Sequence, residues 1–220
     1  MTIAKSGPAD PTNNSQRHTR AARIAMLFAI LLLIAFAALA APQDRDRDRI
    51  HVSHERTVQD FGGGSGGRPS PDAVCEQGFV AVGFHVQTGE YFNQAWLDCA
   101  HLRPDGWAGD DLRMTERTSS PGGHDVFDAR CPEGRVLVGL RGRTGASVDE
   151  AVGACSSARE VMERPDPRVE YTAPIRRPHA EGRPAEARCP SGSVVTGFRS
   201  TSGSHMDHLW IVCSELRRDR

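Results

Sequence analysis

Residues 131–155 read Cys131-PEGRVLVGLRGRTGASVDEAVGA-Cys155, and the same frame occurs twice more, as Cys75-EQGFVAVGFHVQTGEYFNQAWLD-Cys99 and Cys189-PSGSVVTGFRSTSGSHMDHLWIV-Cys213. The three align without a gap. Counting from the first cysteine, glycine recurs three, eight and fourteen places on, as Gly78, Gly83 and Gly89, then Gly134, Gly139 and Gly145, then Gly192, Gly197 and Gly203. A register kept three times marks an internal repeat. The units start 56 and 58 residues apart, which leaves room between them for further strands and loops.

Within each unit the first half alternates. Val80, Val82 and Phe84 are matched by Val136, Val138 and Leu140, and by Val194, Thr196 and Phe198. A period of two means a strand with these residues on its core face. The other face carries His85, Arg141 and Arg199 and is partly solvated. Thr88-Gly89, Thr144-Gly145 and Ser202-Gly203 follow, and glycine there supplies the φ > 0 that a reversing chain needs. The second half reads as the returning strand of a hairpin, with Trp96, Val152 and Trp210 expected in the core. A glycine pair ends eight positions before the cysteine in two units, Gly66-Gly67 before Cys75 and Gly122-Gly123 before Cys131, with a degenerate Glu181-Gly182 before Cys189. That spacing makes the glycine-rich stretch from Gly62 to Gly67 part of the repeat rather than a linker.

The two cysteines of each unit stand 24 positions apart. Zinc sites use close pairs such as C-x2-C, and a catalytic thiol would leave one cysteine without a partner. The pattern predicts three disulfides, Cys75–Cys99, Cys131–Cys155 and Cys189–Cys213, each stapling its own unit independently. A loop of about 25 residues contributes on the order of 3 kcal/mol on the chain-entropy model.

Disulfides persist in oxidising compartments, and the N-terminus supplies a route to one. Residues 24–41 are an unbroken apolar run preceded by Lys5, Arg17, Arg20 and Arg23 against a single Asp10. The basic flank stays cytoplasmic and the C-terminal part crosses. At 1.5 Å per residue the run spans roughly 27 Å, enough for a thin bilayer. The expected organisation is a cytoplasmic basic tail over 1–23 and a transmembrane signal-anchor over 24–41. Ala38-Leu39-Ala40 before Ala41 also has a signal-peptidase pattern, so the competing reading is cleavage near Ala40 and a secreted product. In residues 42–60, Asp44-Arg45-Asp46-Arg47-Asp48-Arg49 alternates in sign with no apolar face, the signature of a charged, disordered stalk. Residues 61–220 then form the repeat domain, in units of about 61–115, 116–172 and 173–220.

The whole chain has 220 residues, 38% hydrophobic and 25% charged, with a formal net charge of -1. That balance allows one or two domains and offers no surface to neutralise phosphates, so nucleic acid is not an expected partner. With 22 Gly, 14 Pro and only 6% aromatic residues, short strands and turns are favoured over long helices.

Three consecutive units, each with a glycine-pair loop, an alternating strand, a Gly-x-x-x-Asp turn and a closing strand, resemble the β-prism I fold of the jacalin-related lectins. The Cys-Pro-x-Gly opening at Cys131–Gly134 and Cys189–Gly192, with the closing cysteine, resembles the vitelline-membrane outer-layer protein family, which is built on the same prism. The resemblance covers about residues 61–220. It implies an all-β domain of three antiparallel sheets, one from each unit, packed around a pseudo-threefold axis.

Lectins of this kind hold a hexose, commonly mannose or galactose, between the Gly-x-x-x-Asp turn and the glycine-pair loop. The matching residues are Gly145 with Asp149 and Gly203 with Asp207, while unit one has Gly89 with Asn93. Unit two, with Gly122, Gly123, Gly145 and Asp149, is the most complete; unit three sets its eroded Glu181-Gly182 against Asp207. A carboxylate accepts two hydrogen bonds from adjacent sugar hydroxyls, and glycine lets backbone N–H groups approach the ring oxygens. His205 and His208 flank Asp207 and are placed for ring packing or hydroxyl contacts there.

Other classes are weighed by the same residues. The turn aspartate also reads as a cap of backbone N–H groups. The domain is then a structural or protein-interaction module of an envelope or extracellular matrix, with no sugar. His205-Met206-Asp207-His208 lacks a third metal ligand. There is no nucleophile elbow, H-E-x-x-H or Walker loop. Asp149 and Glu150 are strand neighbours that point apart and do not flank one glycosidic bond. The expectation is an exported, membrane-anchored, carbohydrate-binding module with no cofactor, no metal and no catalysis.

Overall fold

The computed structural model describes residues 49–118, 122–177 and 180–218. The basic tail, the apolar run 24–41 and the stalk residues 42–48 lie outside the described residues. Among the described residues no helix is long and apolar enough to cross a membrane.

The chain before the first hairpin forms β1 (Ile50–Gly63), β2 (Arg68–Pro69) and β3 (Ala73–Val74). Unit one contributes β4 (Phe79–Thr88) and β5 (Phe92–Leu102), followed by β6 (Ala108–Met114) and β7 (Asp125–Arg130). Unit two contributes β8 (Val136–Thr144) and β9 (Val148–Ser156). A short helix α1 (Ala158–Glu163) follows, N-capped by the Ser157 hydroxyl, which accepts from the Glu160 N–H. Then come β10 (Glu170–Tyr171), β11 (Ile175–Arg176) and β12 (Arg183–Arg188), and unit three closes the chain with β13 (Ser193–Ser202) and β14 (Met206–Arg218).

These strands make three antiparallel sheets, in the orders β6-β5-β4-β7, β10-β9-β8-β12 and β1-β14-β13-β2, with β11 added on β9 and β3 on β13. Each sheet is centred on one repeat hairpin, as the alternation predicts. The outer strands, however, come from the next unit. β7 precedes Cys131 but pairs with β4, β12 precedes Cys189 but pairs with β8, and β2 and β3 precede Cys75 but pair with β13. The expected units of 61–115, 116–172 and 173–220 are therefore offset from the sheets. The sheets hold 79–130, 136–188, and the two chain ends together.

β1 closes the ring by pairing with β14 from Ile50↔Arg218 to Gly63↔His208. This corrects the stalk. Residues 50–60 are strand, with Ile50 and Val52 buried and Phe61 at 2% exposure. The intervening His54, Glu55 and Arg56 face solvent, which is why the segment reads as solvated in sequence.

The period of two is also broken, at the same place in each unit. The ladders shift between Ala81 and Gly83, between Leu137 and Gly139, and between Val195 and Gly197, so Val82, Val138 and Thr196 are bulge residues. A bulge flips which side chains face inward. Phe84, Leu140 and Phe198 lie in the central cluster, joined there by Leu97, Val148 and Ile211 from the returning strands. Val80, Val82, Val136, Val138 and Val194 belong instead to a second cluster with Ile50, Val52, Leu216 and Val161 of α1. Each first strand thus feeds two cores. Phe84 and Phe198 meet edge to face near the axis, with centroids 6.1 Å apart, and burial of such a ring contributes about 1.5–3 kcal/mol.

The three disulfides form as paired by spacing, with Cα–Cα distances of 5.6–5.7 Å. They do not staple units independently. The N–H of Cys131 donates to Val82 O, that of Cys189 to Val138 O, and that of Cys75 to Thr196 O. The first cysteine of each unit is thus held on the neighbouring sheet, while its partner lies within the unit's own returning strand. Each bridge fastens the seam between two sheets.

Trp96 and Val152 are buried, but on the outer face, outside both clusters. Trp96 stacks on His85 at 5.1 Å and lies beneath the Arg117 guanidinium at 4.2 Å; half-buried Trp210 stacks on His208 at 4.1 Å. Trp96 and Val152 are thus buried as expected, though by packing on the outer face of their sheets, while Trp210 is only half-buried.

Candidate functional site at the hairpin tips

All three hairpins reverse through the same turn. The N–H of Gly89 donates to Tyr91 O, that of Gly145 to Ser147 O and that of Gly203 to His205 O, at 2.9–3.0 Å. The fourth residue after each glycine is the second of the returning strand, at the tip: Asn93, Asp149 and Asp207.

The sheet pairing decides which glycine loop faces which turn. Because β7 lies on β4, Gly122 and Gly123 reach the first turn, where a Cβ on Gly123 would sit 2.9 Å from Asn93 Oδ1 and the Gln87 side-chain amide donates to Gly123 O. Because β12 lies on β8, Gly182 reaches the second turn, and its N–H donates to Asp149 Oδ2 at 2.8 Å. Because β2 lies on β13, Gly66 and Gly67 reach the third turn; a Cβ on Gly66 would stand 2.7 Å from Asp207 Oδ1, and one on Gly67, at φ +76°, would meet Oδ2. The expected grouping of Gly122 and Gly123 with Gly145 and Asp149 is thereby corrected by one step around the axis. Asp207 faces not the eroded Glu181-Gly182 but the glycine-rich Gly62–Gly67 stretch, and the Gly64 N–H donates to Asp207 O.

The three tips differ in chemistry. The Asp149 carboxylate is only 3% exposed and is taken up by the protein: Arg177 Nε at 2.6 Å, the Ser147 hydroxyl at 3.1 Å, and the Gly182 N–H. Buried Asn93 donates from Nδ2 to Ser204 O at 3.2 Å, tying the first turn to the third. Asp207 is 13% exposed and faces His205 Nε2 at 3.5 Å; among the described residues no guanidinium pairs with it. The His205 ring stacks on Tyr91 at 4.6 Å, and Arg177 lies over the other partner of that stack, 5.3 Å from the Tyr91 centroid. His208 turns away from the tip, to Asp60 Oδ1 at 2.6 Å and Gly64 O at 3.0 Å. Among the described residues no group of three His, Cys, Asp or Glu is placed to hold a metal.

A carboxylate against a glycine cradle, with backbone N–H groups around it, can accept from two vicinal hydroxyls and donate to a third oxygen. Sequence reading missed Gly66 and Gly67 as the wall of Asp207, and Arg177 as the partner of Asp149. The equal spacing of both glycine pairs to their cysteines was the available signal for the first, once the ring is taken to close between the chain ends. Arg177 has no repeat counterpart and left no signal.

No protein-family model matches the chain, and no curated protein matches it significantly by sequence. Solved structures do resemble it, and these neighbours are jacalin-related lectins. Artocarpin in complex with Me-α-mannose is 13% identical, with a TM-score of 0.50 over 74% of this chain and 99% of its own. The Calystegia sepium agglutinin is 12% identical, with a TM-score of 0.51 over 76% and 99%. The mannose-binding lectin from champedak is 13% identical, with a TM-score of 0.50 over 73% and 98%. At these identities the likeness shows the fold, an all-β prism of three sheets.

Proposed function

We propose that this protein is a non-catalytic carbohydrate-binding module whose hexose site is the third hairpin tip, formed by Gly203, Asp207, Gly66 and Gly67. The observation that carries the reading is the Asp207 carboxylate: it lies against a two-glycine cradle, more exposed than Asp149 and with no arginine paired to it among the described residues, whereas Asp149 is consumed internally. In this reading Asp207 accepts from two adjacent hydroxyls, the turn and cradle N–H groups donate to ring or exocyclic oxygens, and the Tyr91–His205 stack flanks the sugar. Mannose is the favoured hexose over galactose, since the named fold neighbours include a mannoside complex and a mannose-binding lectin.

Asp207→Asn is expected to weaken hexose binding tenfold or more, because a charge-assisted bond is worth roughly 1.5–3 kcal/mol, with little change in melting. Asp149→Asn is expected to lower the melting temperature and leave affinity near wild type. A glycan-array screen of the full chain and both variants, beside thermal melts, checks this.

A second reading rests on the other two tips. Asp149 and Asn93 spend their polar atoms inside the protein, as capping residues of a structural or protein-interaction module of an envelope or extracellular matrix would. The likeness of the Cys-Pro-x-Gly openings to the vitelline-membrane outer-layer family belongs with it. A wild-type chain without any glycan signal, and variants that only melt lower, would establish this reading over the first.

Export completes the proposal. Three cystines suit an oxidising compartment, and residues 24–41 are the segment that would carry the domain across a membrane and hold it there. The N-terminal mass of the mature protein tests retention: an intact Met1 end is expected, and a chain beginning at Ala41 would make the protein secreted.

A further inference from the structure

The pseudo-threefold repeat places equivalent residues on the outer faces of the three sheets, and one face is built differently. His85 stands opposite Trp96 in the first, Arg199 opposite Trp210 in the third, and Arg141 opposite Val152 in the second. Indole rings occupy the outer surface of two sheets. In the second, the smaller Val152 leaves a groove of about 500 Å³, walled by β12 on one side and by the Thr172–Arg176 segment on the other.

The charges in this groove do not cancel. Glu150 is paired with Arg176 at 2.8 Å, and Glu186 with Arg188 at 2.6 Å. Arg141 lies over the Tyr171 ring at 3.4 Å, and no carboxylate among the described residues pairs with it. Arg143, one strand step pair further on the same face, also has no carboxylate partner among the described residues, and its Nε is buried without a hydrogen-bond partner. A buried guanidinium N–H left unsatisfied is destabilising, and a bound oxyanion removes that cost. Apolar surface from Val152, Pro174, Pro184 and Ala185 completes the lining, with the paired Glu150 and Glu186 as hydroxyl acceptors at the edges.

We propose that this groove binds the carboxylate of an acidic sugar, with Arg143 and Arg141 as its cationic ligands and the pyranose ring laid on the Val152–Pro184 floor. A fixed planar guanidinium suits a carboxylate, a ring face of C–H groups suits proline and valine, and edge acceptors suit hydroxyls. The site is separate from the Asp207 tip and does not depend on it. A chain with two such sites reads two features of a glycan, one neutral and one anionic.

The test is isothermal titration of the full chain with tetragalacturonate, its fully methyl-esterified form, and inorganic sulfate. The acid is expected to bind, more weakly as salt rises. The ester and sulfate are each expected to bind at least tenfold more weakly. Arg143→Gln should weaken the acid about tenfold. Val152→Trp, which restores the side chain that the other two sheets accommodate, should abolish binding without removing a charge or lowering the melting temperature. Excess methyl α-mannoside should not compete. Equal binding of acid and ester, sulfate as tight as the sugar acid, full binding by Val152→Trp, or displacement by the mannoside would each overturn the proposal.

Discussion

Arg177→Met is expected to destabilise the fold by about 3–5 kcal/mol, the usual consequence of removing one partner from a buried ion pair. The reason is the asymmetry of the pair. Asp149 is 3% exposed and Arg177 16%. Without the guanidinium the carboxylate stays buried at the tip of β9, with only the Ser147 hydroxyl and the Gly182 N–H to stabilise its charge. Asp149→Asn removes the charge itself and keeps one acceptor, for the Gly182 N–H, while the Ser147 hydroxyl can rotate to accept from the new amide NH2. Arg177, beside its exposed neighbour Arg176, can turn toward water, so the expected cost is only about 1–2 kcal/mol. Combining the two should be less damaging than Arg177→Met alone. Urea unfolding of the three variants measures this; a loss below about 1 kcal/mol for Arg177→Met would show that Asp149 does not depend on the pair.

That contrast also separates the two carboxylates that sequence treats as equivalent. Gly145 to Asp149 and Gly203 to Asp207 match residue for residue, and by that match unit two looks better equipped because Gly122-Gly123 precedes it in the chain. Space reverses the order. β7 carries Gly122-Gly123 to the tip of the first hairpin, where Asn93 stands, and β12 brings only Gly182 to Asp149. The glycine-rich stretch that faces a more exposed aspartate lies some 140 residues from it along the chain, Gly67 against Asp207.

The legible features were local ones. Hairpins of 24-residue span and cysteine spacing repeat within short windows, and both were realised; the turn glycines Gly89, Gly145 and Gly203 do stand at the reversals, but without the positive φ expected of them, which falls instead on Gly78, Gly134 and Gly192 at the start of each unit. What was hidden depends on contacts between distant segments. β1 has too few apolar residues to signal a strand; it becomes one because β14 offers it a full ladder from Arg218 back to His208. The bulges at Val82, Val138 and Thr196 are invisible to a period of two, since each inserts one residue into an otherwise regular apolar pattern. Trp96 faces outward because it stands directly opposite His85, which the alternation already sets on the solvated face. Val152 is conspicuous only by comparison with its two tryptophan counterparts.

Replacing Cys131 and Cys155 together by serine is expected to cost about 3 kcal/mol, the entropy of a loop of this length in the unfolded chain, and to lower the melting temperature by roughly 6–12 °C for a domain of this size. Where the structure loosens is the more informative quantity. The amide of residue 131 is bonded to Val82 O on the sheet of β4, and Cys155 lies in β9 opposite Leu137. A bridge confined to its unit would, once cut, raise hydrogen exchange only within residues 131–155. A bridge across a seam releases both sides. Faster exchange is therefore expected in the β4–β7 ladder from Gly83↔Arg130 onward as well as in β8 and β9, fading toward the hairpin tips, where Asn93, Gly122 and Gly123 hold the sheets by other contacts. The pair Cys189–Cys213 gives a parallel case at the seam between β8 and β13. Its loss should also loosen β1, because Cys213 pairs with Thr57 across the ladder that joins the two ends of the chain. Exchange that rises in one unit alone, for either pair, would return the disulfides to the independent role that their spacing first suggests.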